Sequence, residues 1–342
     1  MATMQEVAAR ANVALSTVSY VLSGTRQVSE HTRQRVLSAI EELGYQPNAA
    51  ARALASRRSN VIALVIPTQE RGLGGTVGEF IDAAVSTAGS YGYHLVVWPF
   101  KVSAAERIVD LAKQGFADGV LVMEIGLEDS RIEALEAAGI PFTMIGRTSS
   151  LEGRPWVDVD FDTTLEQSVA HLVDLGHRHI AFLNHSELSA EQWYAPTFRA
   201  EAAFTTAMQS RGLDPLVLRC EDSPEAGRVA AGELIATCPS LTAVVTMNEL
   251  ATYGLVAGFQ ARGRSVPGDI SVLSAVSSPR VAQMTNPPLA AMGAPGEALG
   301  RAAVLKLLAQ LGDPVPAVEN SLIPCSVLPG GSVDRPARPG LD

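Results

Sequence analysis

Residues 3–22 read T-M-Q-E-V-A-A-R-A-N-V-A-L-S-T-V-S-Y-V-L, and this stretch decides how the chain begins. Thr3 precedes the apolar period Met4, Val7, Ala8 and Ala11, and Glu6 follows three residues later, which is capping-box spacing. A helix should therefore start at Met4. Asn12-Val13-Ala14 breaks it, and a second short helix is expected over 15–22 with Val18, Val21 and Leu22 on one face. Leu15, Ser16, Thr17, Ser19 and Tyr20 fall around its start and outer face, where hydroxyls suit phosphates and base edges. Ser23-Gly24-Thr25-Arg26 has turn composition. Ser29 can cap a third helix over 30–43, with Val36, Leu37, Ile40 and Leu43 inward and Gly44 stopping it. Two short helices across a tight turn, with a third in support, make a helix-turn-helix, although the same pattern fits any small three-helix bundle.

The charge distribution separates this head from the rest. The chain carries −10 overall, which taken alone argues against nucleic acid. Residues 1–60 hold seven Arg, no Lys and four acids, a net of +3, and leave −13 on the remainder. A basic head on an acidic body fits one part that touches phosphates and another that does not. At 342 residues two or three domains are expected. The longest near-apolar stretch, 61–67, is far short of the roughly 20 residues that span a membrane. No signal peptide is read at the start, so a cytoplasmic protein is expected. Cys220, Cys238 and Cys325 lie far apart, so neither a disulfide framework nor a zinc site is expected, and no cofactor.

Continued by V-S-E-H-T-R-Q-R-V (28–36) and E-E-L-G-Y-Q-P-N-A-A-A-R-A-L (41–54), the opening stretch resembles the LacI family of bacterial transcription regulators. The resemblance implies that the second helix lies in the major groove of a double-stranded DNA operator. Leu15 and Ser16 would read bases, Tyr20 would vary with the operator, and Arg26 would reach a guanine. Thr3, Thr17, Ser19 and Tyr45 match phosphate-contacting positions. Beyond Pro47, Asn48 can cap an alanine-rich helix that is too short to be stable alone in water. The family likeness makes this a hinge helix that forms on DNA, pairs with its dimer mate and wedges Leu54 into the minor groove.

From residue 61 short β-branched runs alternate with amphipathic stretches. Strands are predicted at 61–66, 94–98, 119–123, 142–145, 157–160, 179–183, 216–220, 242–246, 270–273 and 322–327. That rhythm predicts an α/β body with doubly wound parallel sheets. G-F-A-D-G-V-L-V-M (115–123), L-V-D-L-G-H-R-H-I-A-F-L (172–183) and V-P-G-D-I-S-V (266–272) extend the family resemblance. It implies an N-terminal all-α helix-turn-helix head plus a two-lobed periplasmic-binding-protein-like body. The expected division is 1–46 head, 47–60 hinge and linker, 61–334 effector-binding and dimerisation domain, and 335–342 disordered tail. Lobe one would be 61–160 with 291–319, and lobe two 161–290 with 320–334.

Effector contacts are expected just past strand ends. Thr68 and Gln69 lie in the first such loop, and Arg147 follows the strand at 142–145. Asn248 follows the strand at 242–246, where it can equally cap the next helix. Arg199 lies near the family's ligand-binding arginine, and Trp193 with Tyr194 could stack on a sugar ring. Asp222 falls where some relatives place an aromatic, and Glu249 is longer than the family's Asp. After 270–273 comes Ser274-Ala275-Val276-Ser277, without the acid that grips hydroxyls in sugar-responsive relatives. The expectation is a homodimeric repressor, not bound to membrane, whose affinity for a near-palindromic operator is set by a small molecule, a sugar or sugar derivative. A solute-binding protein of a transport system, or a regulator whose pocket no longer binds a sugar, are the alternatives. No phosphate loop, nucleophile elbow or H-E-x-x-H is present, so no enzyme is expected.

Overall fold

The computed structural model describes residues 2–23, 26–45, 58–67, 75–100, 104–186 and 194–337. The chain divides into two compact units, Met1–Ser59 and Asn60–Asp342. Asn48 and Leu54, with the hinge segment around them, lie outside the described residues, as do Thr68, Gln69 and Trp193.

The head contains α1 (Met4–Ala11), α2 (Leu15–Ser23) and α3 (Glu30–Leu43). Thr3 and Glu6 form the reciprocal capping box, and Asn12 ends α1 in the left-handed region at φ 48°. Ser29 caps α3 and Gly44 closes it at φ 58°, where a side chain would be strained. Val7, Val18 and Val36 are fully buried and, with Ala8, Ala11, Ala39 and Tyr45, make up the core. Two expectations for α3 need correction. Leu37 is 46% exposed and Leu43 36%, while Ala39 is buried in their place. The face turned to α1 is set by Val36 and Ala39, so the small residue approaches its neighbour and the leucines look outward. Arg35 donates to the carbonyls of Ala11 and Asn12, which answers the loose C-terminal end of α1.

The second unit contains two six-stranded sheets. The first takes β1 (Val61–Ile66), β2 (His94–Pro99), β3 (Gly119–Val122), β4 (Phe142–Ile145), β5 (Trp156–Val159) and β11 (Ser321–Ile323), in the order β11-β5-β4-β3-β1-β2. The second takes β6 (Ile180–Asn184), β7 (Leu216–Arg219), β8 (Ala243–Thr246), β9 (Ser271–Ser277), β10 (Ala290–Gly293) and β12 (Ser326–Leu328), in the order β12-β10-β9-β8-β6-β7. All pairings are parallel except β10 with β12. Helices α4 (Gly75–Ser90), α5 (Ala105–Lys113), α6 (Ser130–Ala137) and α12 (Gly296–Gln310) cover the first sheet. Helices α7 (Phe161–Leu175), α8 (Ala195–Gln209), α9 (Pro224–Thr237), α10 (Glu249–Ala261) and α11 (Pro279–Ala282) go with the second. Burial on both faces explains why most strands read as apolar runs. Among the described residues no helix is long and apolar enough to cross a membrane.

The strand at 322–327 is in fact two. Pro324 has no N–H to give a ladder, so β11 ends before it beside β5 and β12 starts after it in the other sheet. Residues 321–323 thus stand in the first lobe, and the boundary expected at 320 moves to Pro324. β10 was not anticipated, because Ala-Ala-Met-Gly carries no β-branched signal. It places 291–293 in the second lobe, against the expected start of lobe one at 291. β9 runs on to Ser277, so Ser274–Ser277 continue the strand instead of following it.

The tail at 335–342 was expected to be disordered; residues 338–342 lie outside the described residues, and the described residues 332–336 pack on the second lobe. Ser332 is fully buried and donates to the Val272 carbonyl at 2.5 Å. The Asp334 N–H donates to Ser271 Oγ at 3.0 Å, and Pro336 lies against Gly176. His177 sits 2.8 Å through Nε2 from the Asp334 carbonyl and 2.9 Å through Nδ1 from the Thr242 hydroxyl. A carbonyl can only accept, so Nε2 carries the proton and the neutral ring satisfies both partners. Burial holds the His177 pKa below its ordinary 6.5. The native state therefore binds fewer protons than the unfolded chain below that pH, and stability falls as pH drops through 6.5. Urea midpoints should decline from pH 7.5 to 5.5, and less steeply in His177→Gln; equal slopes would remove His177 from the account.

Candidate functional site

Two surfaces carry the expected residues. On the head, Val18 turns inward and fixes the rotation of α2. Ser16, Ser19 and Tyr20 are three and four residues apart and share a face. Leu15 is 44% exposed and Ser16 is exposed, while Thr17, Ser19 and Tyr20 are half-buried. The exposed Arg26 places its guanidinium 5.7 Å from the Tyr20 ring centroid, which joins the turn to that face. Thr3 is exposed with its hydroxyl engaged by Glu6. Tyr45 belongs to the core, 8% exposed. Of the head's cations, Arg35 is committed to the helix turn and Arg10 to Glu42.

In the body a cavity of about 200 Å³ opens between the carboxyl ends of the two sheets. Its walls are largely apolar: Phe80, Met123 and Ile145 from the first lobe, Phe161, Met247 and Val276 from the second. Three polar clusters interrupt them. In the first, Asp158, 4% exposed, accepts from Arg147 Nε at 2.9 Å and lies 3.8 Å from Arg199 Nη1. Arg147 also stacks over Trp156, 5.2 Å from the ring centroid. Arg199 donates to the Thr148 carbonyl across the cleft at 3.2 Å. Burial lifts the Asp158 carboxyl above its ordinary value, with the Arg147 hydrogen bond opposing it, and holds the Arg199 guanidinium below its own.

The second cluster centres on Asp222. Its Oδ1 lies 2.9 Å from His185 Nδ1 and accepts from Asn248 Nδ2 at 2.7 Å. Tyr194 meets the His185 ring edge-on at 5.9 Å. Asn248 serves as both cap and wall, since its Oδ1 accepts the Ala251 N–H at 3.0 Å while the residue lines the cavity. The third is Glu249, whose carboxylate accepts from Gly75 N–H, Thr76 hydroxyl, Ser277 hydroxyl and Ser278 N–H at 3.1, 3.3, 3.2 and 2.9 Å.

Asp222, Asn248 and Tyr194 are therefore brought together at the cavity, whereas Arg147 and Arg199 stand behind Asp158 and are not among the lining residues. Sequence reasoning passed over His185, the first residue after β6, although strand-end position alone would have flagged it. Asp158 was concealed inside a predicted strand. Among the described residues no group of three or more His, Cys, Asp or Glu could hold a metal ion.

Comparison with known proteins is consistent along the chain. Residues 3–48 match the family of bacterial regulatory proteins, lacI family, and residues 169–333 match the periplasmic binding protein-like domain. The HTH-type transcriptional regulator CelR of Thermobifida fusca is 30% identical over 308 residues, covering 87% of this chain and 88% of CelR. The HTH-type transcriptional regulator MalR of Streptomyces coelicolor is 29% identical over 348 residues, 98% of each chain. A solved CelR–cellobiose complex superposes with a TM-score of 0.70 at 26% identity, covering 97% of this chain and all of that one. The lac repressor dimer bound to operator and an anti-inducer gives 0.83 at 24% identity, covering 97% and 99%, a likeness of fold.

The Asn248 geometry yields a stability test. Asn248→Ala should cost about 0.5–2 kcal/mol for the lost cap alone. Asn248→Asp keeps a capping oxygen but sets a second carboxylate against Asp222, so it should also destabilise, and recover at low pH. Thermal unfolding of the two variants at pH 7.5 and 5 checks this; a neutral Asn248→Ala would contradict the capping role.

Proposed function

Because this chain belongs to the LacI family of bacterial regulatory proteins, we propose that it represses transcription by binding a near-palindromic operator as a homodimer, with operator affinity set by a small molecule in the body cleft. The observation that carries the reading is the outward face of α2, where Leu15, Ser16 and Tyr20 lie beside Arg26 on a unit of net +3. Leu15, Ser16, Tyr20 and Arg26 would read base edges, and Thr3, Thr17, Ser19 and Tyr45 would meet phosphates. Residues 47–60, Asn48 and Leu54 among them, form the connecting segment in this reading. No reaction is assigned, and the chain works in the cytoplasm where its DNA is. A transport role fits poorly with a fused head of this kind.

For the effector, a sugar or sugar derivative is favoured. Phe80 and Phe161 give flat apolar surface for a ring face, and Asp222 with His185 offers the polar end for hydroxyls. CelR, a relative, was solved with cellobiose. Thermal-shift screening of mono- and disaccharides on the full chain should find a specific ligand that raises the melting point by mass action.

Anisotropy titrations on operator-like palindromes and on scrambled duplexes test the DNA reading. Affinity for the palindrome should fall linearly on a log–log salt plot, with a slope of about −0.9 per phosphate neutralised. Arg26→Ala should lose about 1–3 kcal/mol at one base pair and tolerate substitution there. Leu54→Ala should weaken operator binding and leave ligand shifts intact. Equal binding of palindrome and scrambled duplex at every salt concentration would overturn the proposal.

A further inference from the structure

Glu249 is the first residue of α10, in the second lobe, yet half of its partners lie in the first. The Gly75 N–H and Thr76 hydroxyl come from the start of α4; the Ser277 hydroxyl and Ser278 N–H come from the end of β9. Four donors from two lobes therefore converge on one carboxylate. No Lys, Arg or His pairs with it among the described residues, so oriented dipoles alone answer its charge, those at the α4 N-terminus included. The lobes also touch directly here. A Cβ on Gly75 would stand 2.4 Å from Ser278 Oγ and 2.5 Å from Val281 Cγ2, so a side chain there would have to displace one of them. One turn along α4, burial and the Glu249 charge raise the Glu79 carboxyl, which places a second acid close by.

We propose that Glu249 is a positioning and specificity residue, an internal ligand that ties α4 to β9 across the cleft and closes one pole of the effector site. Effector hydroxyls are then read by Asp222 and His185, because the donors around Glu249 are already filled from within the chain. The tie replaces the missing acid after β9 with one that grips the protein. Opening the cleft breaks the Gly75 and Thr76 bonds while those to Ser277 and Ser278 remain within one lobe. The two lobes are thus held by a contact that a ligand does not have to supply. This rests on the cleft being the effector site, but its test does not need an effector or an operator.

Amide hydrogen exchange on the full-length protein is the experiment. In Glu249→Ala and Glu249→Gln, amides of 75–80 and 277–281 should exchange about tenfold faster or more, while those of β1 and β6 keep their protection. Sodium formate should restore much of the protection in Glu249→Ala by refilling the four-donor pocket. Unchanged exchange at both segments in both variants overturns the proposal. If Glu249→Ala speeds exchange uniformly, Thr76→Val decides. Faster exchange at 277–281, in the lobe opposite the substitution, supports the tie, and no change there overturns it.

Discussion

A carboxylate withdrawn from water has to be met by donors, and in this body some of those donors come from the facing lobe. Asp158, on the first sheet, accepts from Arg147 of its own lobe and is approached by Arg199 of α8 in the second lobe. Glu249, at the start of α10 in the second lobe, is held by Gly75 and Thr76 of the first lobe and by Ser277 and Ser278 of its own. Between them the Ala195 N–H donates to the Ile125 carbonyl at 3.1 Å, and Gly126 bridges Tyr194. Leaving such groups unanswered in an apolar cleft costs a few kcal/mol each. These hydrogen bonds tie the two lobes together across the cleft. A ligand can shift the lobes only by preferring one arrangement over another.

The head solves a different problem with few residues. Its core is small, so caps and a clamp do the work that area cannot. Thr3 with Glu6, Ser29, Gly44 and Arg35 each answer backbone groups at a helix end. The result is an α2 whose polar face is left for a partner, and the family membership names that partner as DNA.

Much of this was legible in the sequence, because the informative signals were local. The capping box, Ser29 and Gly44 fixed the head's helices to within a residue, and β1 and β4 fall where β-branched runs placed them. What escaped depended on distance in the chain. Leu37 and Leu43 fit the helical period but stay 46% and 36% exposed. Pro324 split one apparent strand between two sheets, and the Ala-rich β10 carried too little signal. In the cleft, Arg147 was recognisable as a charged residue past a strand end, and Arg199 by its likeness to the family's ligand-binding arginine. That both turn to Asp158 follows from a fold that brings positions 147, 158 and 199 together. Glu249 read as an Asp one methylene too long; its partners, 174 residues earlier and 29 residues later, explain the length.

In the proposed function, operator binding by the head depends on the state of the cleft, and one comparison tests that dependence. Full-length wild type and Glu249→Gln should be titrated side by side against a palindrome recovered by selection from random duplexes. Loosening the cleft should shift operator affinity by about tenfold, near 1.4 kcal/mol of coupling. Identical affinities, from proteins of equal stability, would contradict it.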